Sequence, residues 1–104
     1  MICVSVMYPH APGKHFDHEY YQQKHFPLVM DRLAGHGITR FEIQQGLSGL
    51  GPGSEPAFAC IGNLYFNAVS EFQQAMMAHG GELQADIPNF TNIQPQFQIS
   101  EVSS

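Results

Sequence analysis

Two nearly unbroken apolar runs stand in this chain among segments whose polarity alternates residue by residue, and that contrast leaves few folds open. Residues 2–8 (Ile-Cys-Val-Ser-Val-Met-Tyr) and 58–66 (Phe-Ala-Cys-Ile-Gly-Asn-Leu-Tyr-Phe) are apolar or small almost throughout. Short β-branched and aromatic runs of this kind read as strands covered on both faces. Residues 38–47 alternate instead, with Thr39, Phe41 and Ile43 against Arg40, Glu42 and Gln44. Residues 93–102 alternate too, with Ile93, Pro95, Phe97 and Ile99 against Gln94, Gln96, Gln98 and Ser100. Alternation marks a strand with one wet face, and Pro95, which has no N–H to give, suits a sheet edge.

Helical periodicity fills the intervals. Asp17 is a good N-cap, with Phe16 placed to staple against Tyr21. Tyr21, His25, Leu28, Val29, Arg32 and Leu33 then recur at helical spacing until Gly35 and Gly37. Pro27 lies inside the pattern and is expected to kink or divide the helix. A second helix is expected from Ala68 to about His79, with Val69, Phe72, Met76 and His79 on one stripe. Gly80-Gly81 weakens it, and residues 82–86 offer one more turn.

The order β-α-β-β-α-β is the split-βαβ, ferredoxin-like arrangement of an α+β domain, with an antiparallel four-stranded sheet in the order 4-1-3-2. The apolar runs fall on its central strands and the alternating runs on its edges. Two helices cover only one face of such a sheet. Yet Ile2, Val4 and Val6 are answered across the first strand by Cys3 and Met7. A second copy of the chain is the simplest cover for the other face, so a homodimer is expected.

At 104 residues the chain holds one domain, 1–104. Its formal charge is −5, with only Lys14, Lys24, Arg32 and Arg40 as permanent cations, too few to build the basic face that nucleic acid requires. No apolar run approaches the roughly 20 residues of a membrane helix. The sequence opens directly on strand-like residues, without a basic leader or small-residue cleavage site, so a cytoplasmic location is expected. Cys3 and Cys60 sit inside apolar runs without CxxC spacing and read as buried free thiols.

Among residues with chemistry, His25 stands out, on the apolar stripe one turn after Tyr21. An imidazole there serves either as a proton acceptor near neutral pH or as a core histidine satisfied by a carbonyl. His79 reads as a helix-end residue that interacts well with the dipole. His10, His15 and His18 have no carboxylate or thiolate at a ligand spacing, so no metal site is expected. The Gly-rich stretch 46–53 joins strand to strand rather than strand to helix, and is a hairpin connection instead of a phosphate cradle. Residues 86–92, Asp-Ile-Pro-Asn-Phe-Thr-Asn, are denser in polar groups than a connector needs and are placed to line the mouth of a helix–sheet cavity. No strand–Gly-rich turn–helix unit is present for a flavin or nicotinamide, so no cofactor is expected. Haem ligation by His25 or His79 stays open.

Two stretches carry a resemblance. Tyr20-Tyr-Gln-Gln-Lys-His-Phe-Pro-Leu28 resembles the first-helix motif of the EthD family, in which a Tyr-Tyr pair precedes His-x-Pro-Leu. Asp86-Ile-Pro-Asn-Phe-Thr-Asn-Ile93, followed by a Gln-rich strand, is similar to that family's closing segment. The resemblance implies a dimeric α/β-barrel built from two sheets packed face to face. Its namesake accompanies a cytochrome system that degrades ethyl tert-butyl ether, and the family is loosely labelled oxidoreductase. Relatives on the fold include cofactor-free monooxygenases of aromatic polyketides and lactone isomerases. By position, the resemblance implies His25, Tyr21 and Asp86 as catalytic candidates. It implies Tyr20, Asn89, Phe90 and Asn92 as ligand-binding candidates. Met77-Ala-His-Gly-Gly-Glu82 departs from the Ser-Pro-Glu-like stretch expected there, which removes any carried-over role for it.

Two function classes follow. In one, His25 is the general base of a cofactor-independent oxidoreductase, or of a lactone isomerase, acting on a small apolar or aromatic molecule. In the other, the pocket carries such a molecule for a partner oxygenase.

Overall fold

The computed structural model describes residues 1–103. β1 (Ile2–Pro9) leads to a helix in three parts: α1 (His18–Tyr20), a π-helical stretch Tyr21–His25, and α2 (Phe26–Leu33). β2 (Ile38–Gln45), β3 (Phe58–Phe66), α3 (Val69–Asp86) and β4 (Gln96–Glu101) follow. The strands form one antiparallel sheet in the order β2-β3-β1-β4, with both helices packed on one side. This is the expected ferredoxin-like α+β fold, with the unbroken apolar runs at the centre.

Register sorts the strand residues into two faces. Ile2, Val4, Val6 and Tyr8 of β1 pair with Phe66, Leu64, Gly62 and Cys60 of β3, and these face the helices. Their odd-numbered neighbours Cys3, Ser5 and Met7 pair with Tyr65, Asn63 and Ile61 on the open face. That open face is less apolar than the sequence suggests. At its centre Ser5 Oγ donates to Asn63 Oδ1 (2.7 Å), Asn63 Nδ2 to Glu42 Oε1 (3.0 Å), and Tyr65 O–H to the same oxygen (3.0 Å). The hydrogen bond from Tyr65 outweighs burial and, with those from Asn63 and Arg40, holds the Glu42 carboxyl below its usual value. Cys3 is buried on this face and Cys60 on the helix face, both as free thiols.

The first helix starts as its sequence requires. Asp17 Oδ1 accepts from the Tyr20 N–H at 3.0 Å, and the Phe16 and Tyr21 rings lie 5.1 Å apart. Pro27 is the second residue of α2, and the division expected of it falls just before, at the π-helical stretch. Its missing N–H and its ring are incompatible with an ordinary turn, so the preceding turn widens and the Phe26 N–H reaches Tyr21 O. The helix closes on Gly37 at φ 88°, a left-handed conformation that glycine adopts without strain.

α3 crosses Gly80-Gly81 and takes the further turn that residues 82–86 offer, running 18 residues to Asp86, which corrects the placement of His79. Two helical glycines cost roughly 1 kcal/mol each relative to alanine; burial of Ala75 and Leu83 in the core outweighs this. His79 therefore lies two turns inside the helix rather than at its end, and its ring meets His36 edge-on at 5.2 Å. At the last strand, pairing begins at Gln96 rather than at 93. Pro95 has no N–H for a ladder, and Ile93 turns inward and is buried. β2 likewise stops at Gln45, two residues short of the expected end.

Candidate functional site

The wide turn before Pro27 sets the geometry of the site. In it Tyr21 and His25 lie one above the other, their rings 5.5 Å apart and 24° from parallel. Tyr21 is seated on the sheet because Gly62 has no side chain there: a Cβ would stand 2.3 Å from the Tyr21 hydroxyl. His25 is consequently buried, 5% exposed, between Tyr21 and Phe90, whose ring is 4.6 Å away.

Asp86, the last residue of α3, meets it from the other helix. His25 Nδ1 and Asp86 Oδ2 are 2.8 Å apart. A carboxylate only accepts, so Nδ1 carries the proton and Nε2 keeps its lone pair. The other carboxylate oxygen accepts from the Tyr20 hydroxyl at 2.8 Å and from Asn89 Nδ2 at 2.9 Å. Burial raises the Asp86 carboxyl, but the hydrogen bonds from Asn89, His25 and Tyr20 outweigh it and hold the group below its usual range. Burial lowers His25 below 6.5, against the opposing pull of Asp86. The pair at neutral pH is thus a neutral imidazole oriented by a fixed anion.

His25 borders a cavity of about 70 Å³ between helices and sheet, walled also by Val6, Tyr8, Val29, Leu64 and Leu83. Two larger grooves adjoin it. One, about 500 Å³, lies between α3 and β4. The other, about 520 Å³, runs past Ile87 and residues 91–95. Phe97 and Gln84 border all three spaces.

The sequence-derived candidates separate here. His25, Asp86, Tyr20 and Asn89 form one hydrogen-bonded cluster. Tyr21 stands behind His25 rather than on the cavity wall, and burial keeps its hydroxyl protonated far above its usual value. Phe90 is completely buried and packs under both His25 and Tyr20. Asn92 is not brought to the cluster: its Oδ1 accepts the His15 N–H at 2.9 Å, holding the loop before α1, and it borders the outer groove. His10, His15 and His18 do not converge. His10 pairs with Glu55 (3.2 Å), and His18 packs on Phe16 (4.7 Å). Among the described residues, no three His, Cys, Asp or Glu side chains gather as metal ligands.

Tyr8 was missed by sequence reasoning, although a period of two puts it on the same face as Val4 and Val6. The contact between His25 and Asp86 spans 61 positions and has no local signature.

Residues 13–94 match the family model described as the EthD domain. The chain belongs to the EthD family. An EthD-like protein from Ralstonia eutropha JMP134 is 41% identical, with a TM-score of 0.94 over 99% of this chain and 92% of that one. An EthD family protein from Bacillus halodurans C-125 gives 20% identity and a TM-score of 0.74, covering 99% of each chain. A protein from an uncultured marine organism, described as dimeric and ferredoxin-like, shares the fold at 13% identity and TM-score 0.61, over 100% of this chain and 96% of that one. No curated protein matches the chain. Among the described residues, no helix of this EthD-family chain is long and apolar enough to cross a membrane.

Proposed function

We propose that this EthD-family protein binds a small apolar or aromatic molecule with only its reacting atoms in the helix–sheet cavity and its body in the adjoining grooves, and removes a proton from it, with His25 as general base. The observation that carries this reading is the 2.8 Å contact between His25 Nδ1 and Asp86 at the wall of a cavity that is otherwise apolar but for Tyr8 and Gln84. The imidazole is neutral at pH 7 and fixed in one tautomer, with Nε2 left for the ligand. Once it takes a proton, Asp86 stabilises the imidazolium, and burial in apolar surroundings strengthens that attraction. Tyr20 and Asn89 fix Asp86, and Tyr21 and Phe90 fix the ring. The carbanion or enolate so formed either reacts with oxygen or is reprotonated at another carbon. The first outcome is a cofactor-independent oxidation, the second an isomerisation.

The protein works as a homodimer in this reading, with the open sheet face covered by a second copy as in a dimeric α/β-barrel. Met7 and Ile61 supply apolar contact there, and the polar groups beside them, Ser5, Asn63 and Glu42, are already hydrogen-bonded to one another. A relative on the same fold is described as dimeric.

The test is oxygen uptake and α-deuterium incorporation across a panel of phenols, anthrones and butenolides, using wild type and His25→Ala. Loss of turnover in the variant with binding retained is the expected result. If wild type binds members of the panel and turns over none of them, the protein is a carrier for a partner oxygenase instead.

A further inference from the structure

The face that α3 turns toward β4 carries Phe72, Met76, Gly80 and Gln84, a strict stripe of every fourth residue. These four, with Phe97 of β4 opposite, border both the cavity at His25 and the groove of about 500 Å³ beside it. Gly80 is the one position of the stripe without a side chain, so the stripe has a notch where cavity and groove meet. Packing does not demand that glycine. A Cβ at Gly80 would meet only Met76, at an ordinary 3.7 Å, and the helix would gain from alanine there. The notch keeps space open at a cost to the helix.

The volumes decide what passes through it. A cavity of about 150 Å³ admits benzene, and the space at His25 is about 70 Å³. A ligand reaching His25 can therefore place only a few heavy atoms there and must leave its body outside. The adjoining groove is lined by Val4, Phe72, Met76, Phe97 and Ile99, with Gln84 and Gln98 at its border and no charged group. We propose that the ligand is an elongated enolisable carbonyl compound, its small acidic head at His25 and an unbranched apolar tail passing the Gly80 notch into the α3–β4 groove. Gly80 and Phe97 are the residues that set tail selectivity. This inference rests on the base reading only for the identity of the head group.

Calorimetric titration with alkane-2,4-diones from 2,4-pentanedione to 2,4-decanedione tests it. Wild type is expected to gain affinity with each methylene, up to about fourfold for one fully buried. Gly80→Ala should weaken that gain and Gly80→Leu abolish it, each read against the same variant's own affinity for 2,4-pentanedione. Because Gly80→Leu risks overpacking, Gly80→Ala carries the test, and its melting temperature should rise. In His25→Ala the chain-length gain should persist, so failure of the base and failure of the groove are told apart. Equal chain-length gain in wild type and Gly80→Ala, no gain in wild type, or no binding of any homologue would overturn the proposal.

Discussion

At the residue scale, the structure buries one histidine of six and gives it one anionic partner, and the proposed base role rests on that pair. Replacing that partner by Asp86→Asn keeps the shape but removes the charge. The orienting hydrogen bond and the Coulombic pull both raise His25, so its midpoint should fall further in the variant, and turnover should drop by about 10²–10⁴-fold. A pH–rate profile reads both effects. The same burial makes stability depend on pH. Between the folded midpoint and 6.5 the unfolded chain binds a proton that the folded chain does not, so stability is lost as pH falls through that window. His18, also lowered by burial, adds in the same sense. Urea midpoints at pH 7.5 and 5.5 should therefore differ, and the difference should shrink in His25→Ala. His25 was legible from its helical spacing. Its tie to Asp86 was not, because residues 61 apart meet only through the packing of two helices.

At the element scale, the strands were the most legible part, since period-two alternation and its absence report directly on edge and centre. Propensity located the helix breakers without showing how each helix meets them. Pro27 is absorbed by one wide turn, and Gly80-Gly81 is carried by core burial on either side. Both responses build the candidate site: the wide turn stacks His25 on Tyr21, and the uninterrupted helix brings Asp86 to His25. The further turn at 82–86 was legible, but the weakening at Gly80-Gly81 was over-weighed because local preference was taken without tertiary packing. The seat of Tyr21 on Gly62 is a sharp test of this geometry. Gly62→Ala should displace the Tyr21 ring and cost ~1–3 kcal/mol in denaturant unfolding. An unchanged midpoint would contradict the seat.

At the scale of the whole molecule, the sheet has one face sealed by helices and one face open. The sequence pointed to a second copy there because the first strand is apolar on both faces, Ile2, Val4 and Val6 against Cys3 and Met7, but it did not reveal the polar network at the centre. Cys3, Ser5, Glu42, Asn63 and Tyr65 come from three strands, and their hydrogen bonds exist only once the register is set. A dimer closed over this face should scatter light as twice 11.6 kDa at micromolar concentration. Met7→Asp, which places a charge beside Ile61, should shift the mass toward the single chain with circular dichroism unchanged. A wild type of single-chain mass would end the proposed assembly while leaving the His25 cavity untouched, since that cavity is walled by one chain.

The central claim is that His25 is held neutral, with its proton on Nδ1 against Asp86 and its lone pair on Nε2. Nitrogen-15 NMR of histidine-labelled protein, titrated from pH 8 to 4.5, reads both properties without a substrate. The expected result is a protonated Nδ1 at neutral pH and a midpoint below 6.5. A midpoint above 6.5, or a proton on Nε2 at neutral pH, would contradict it.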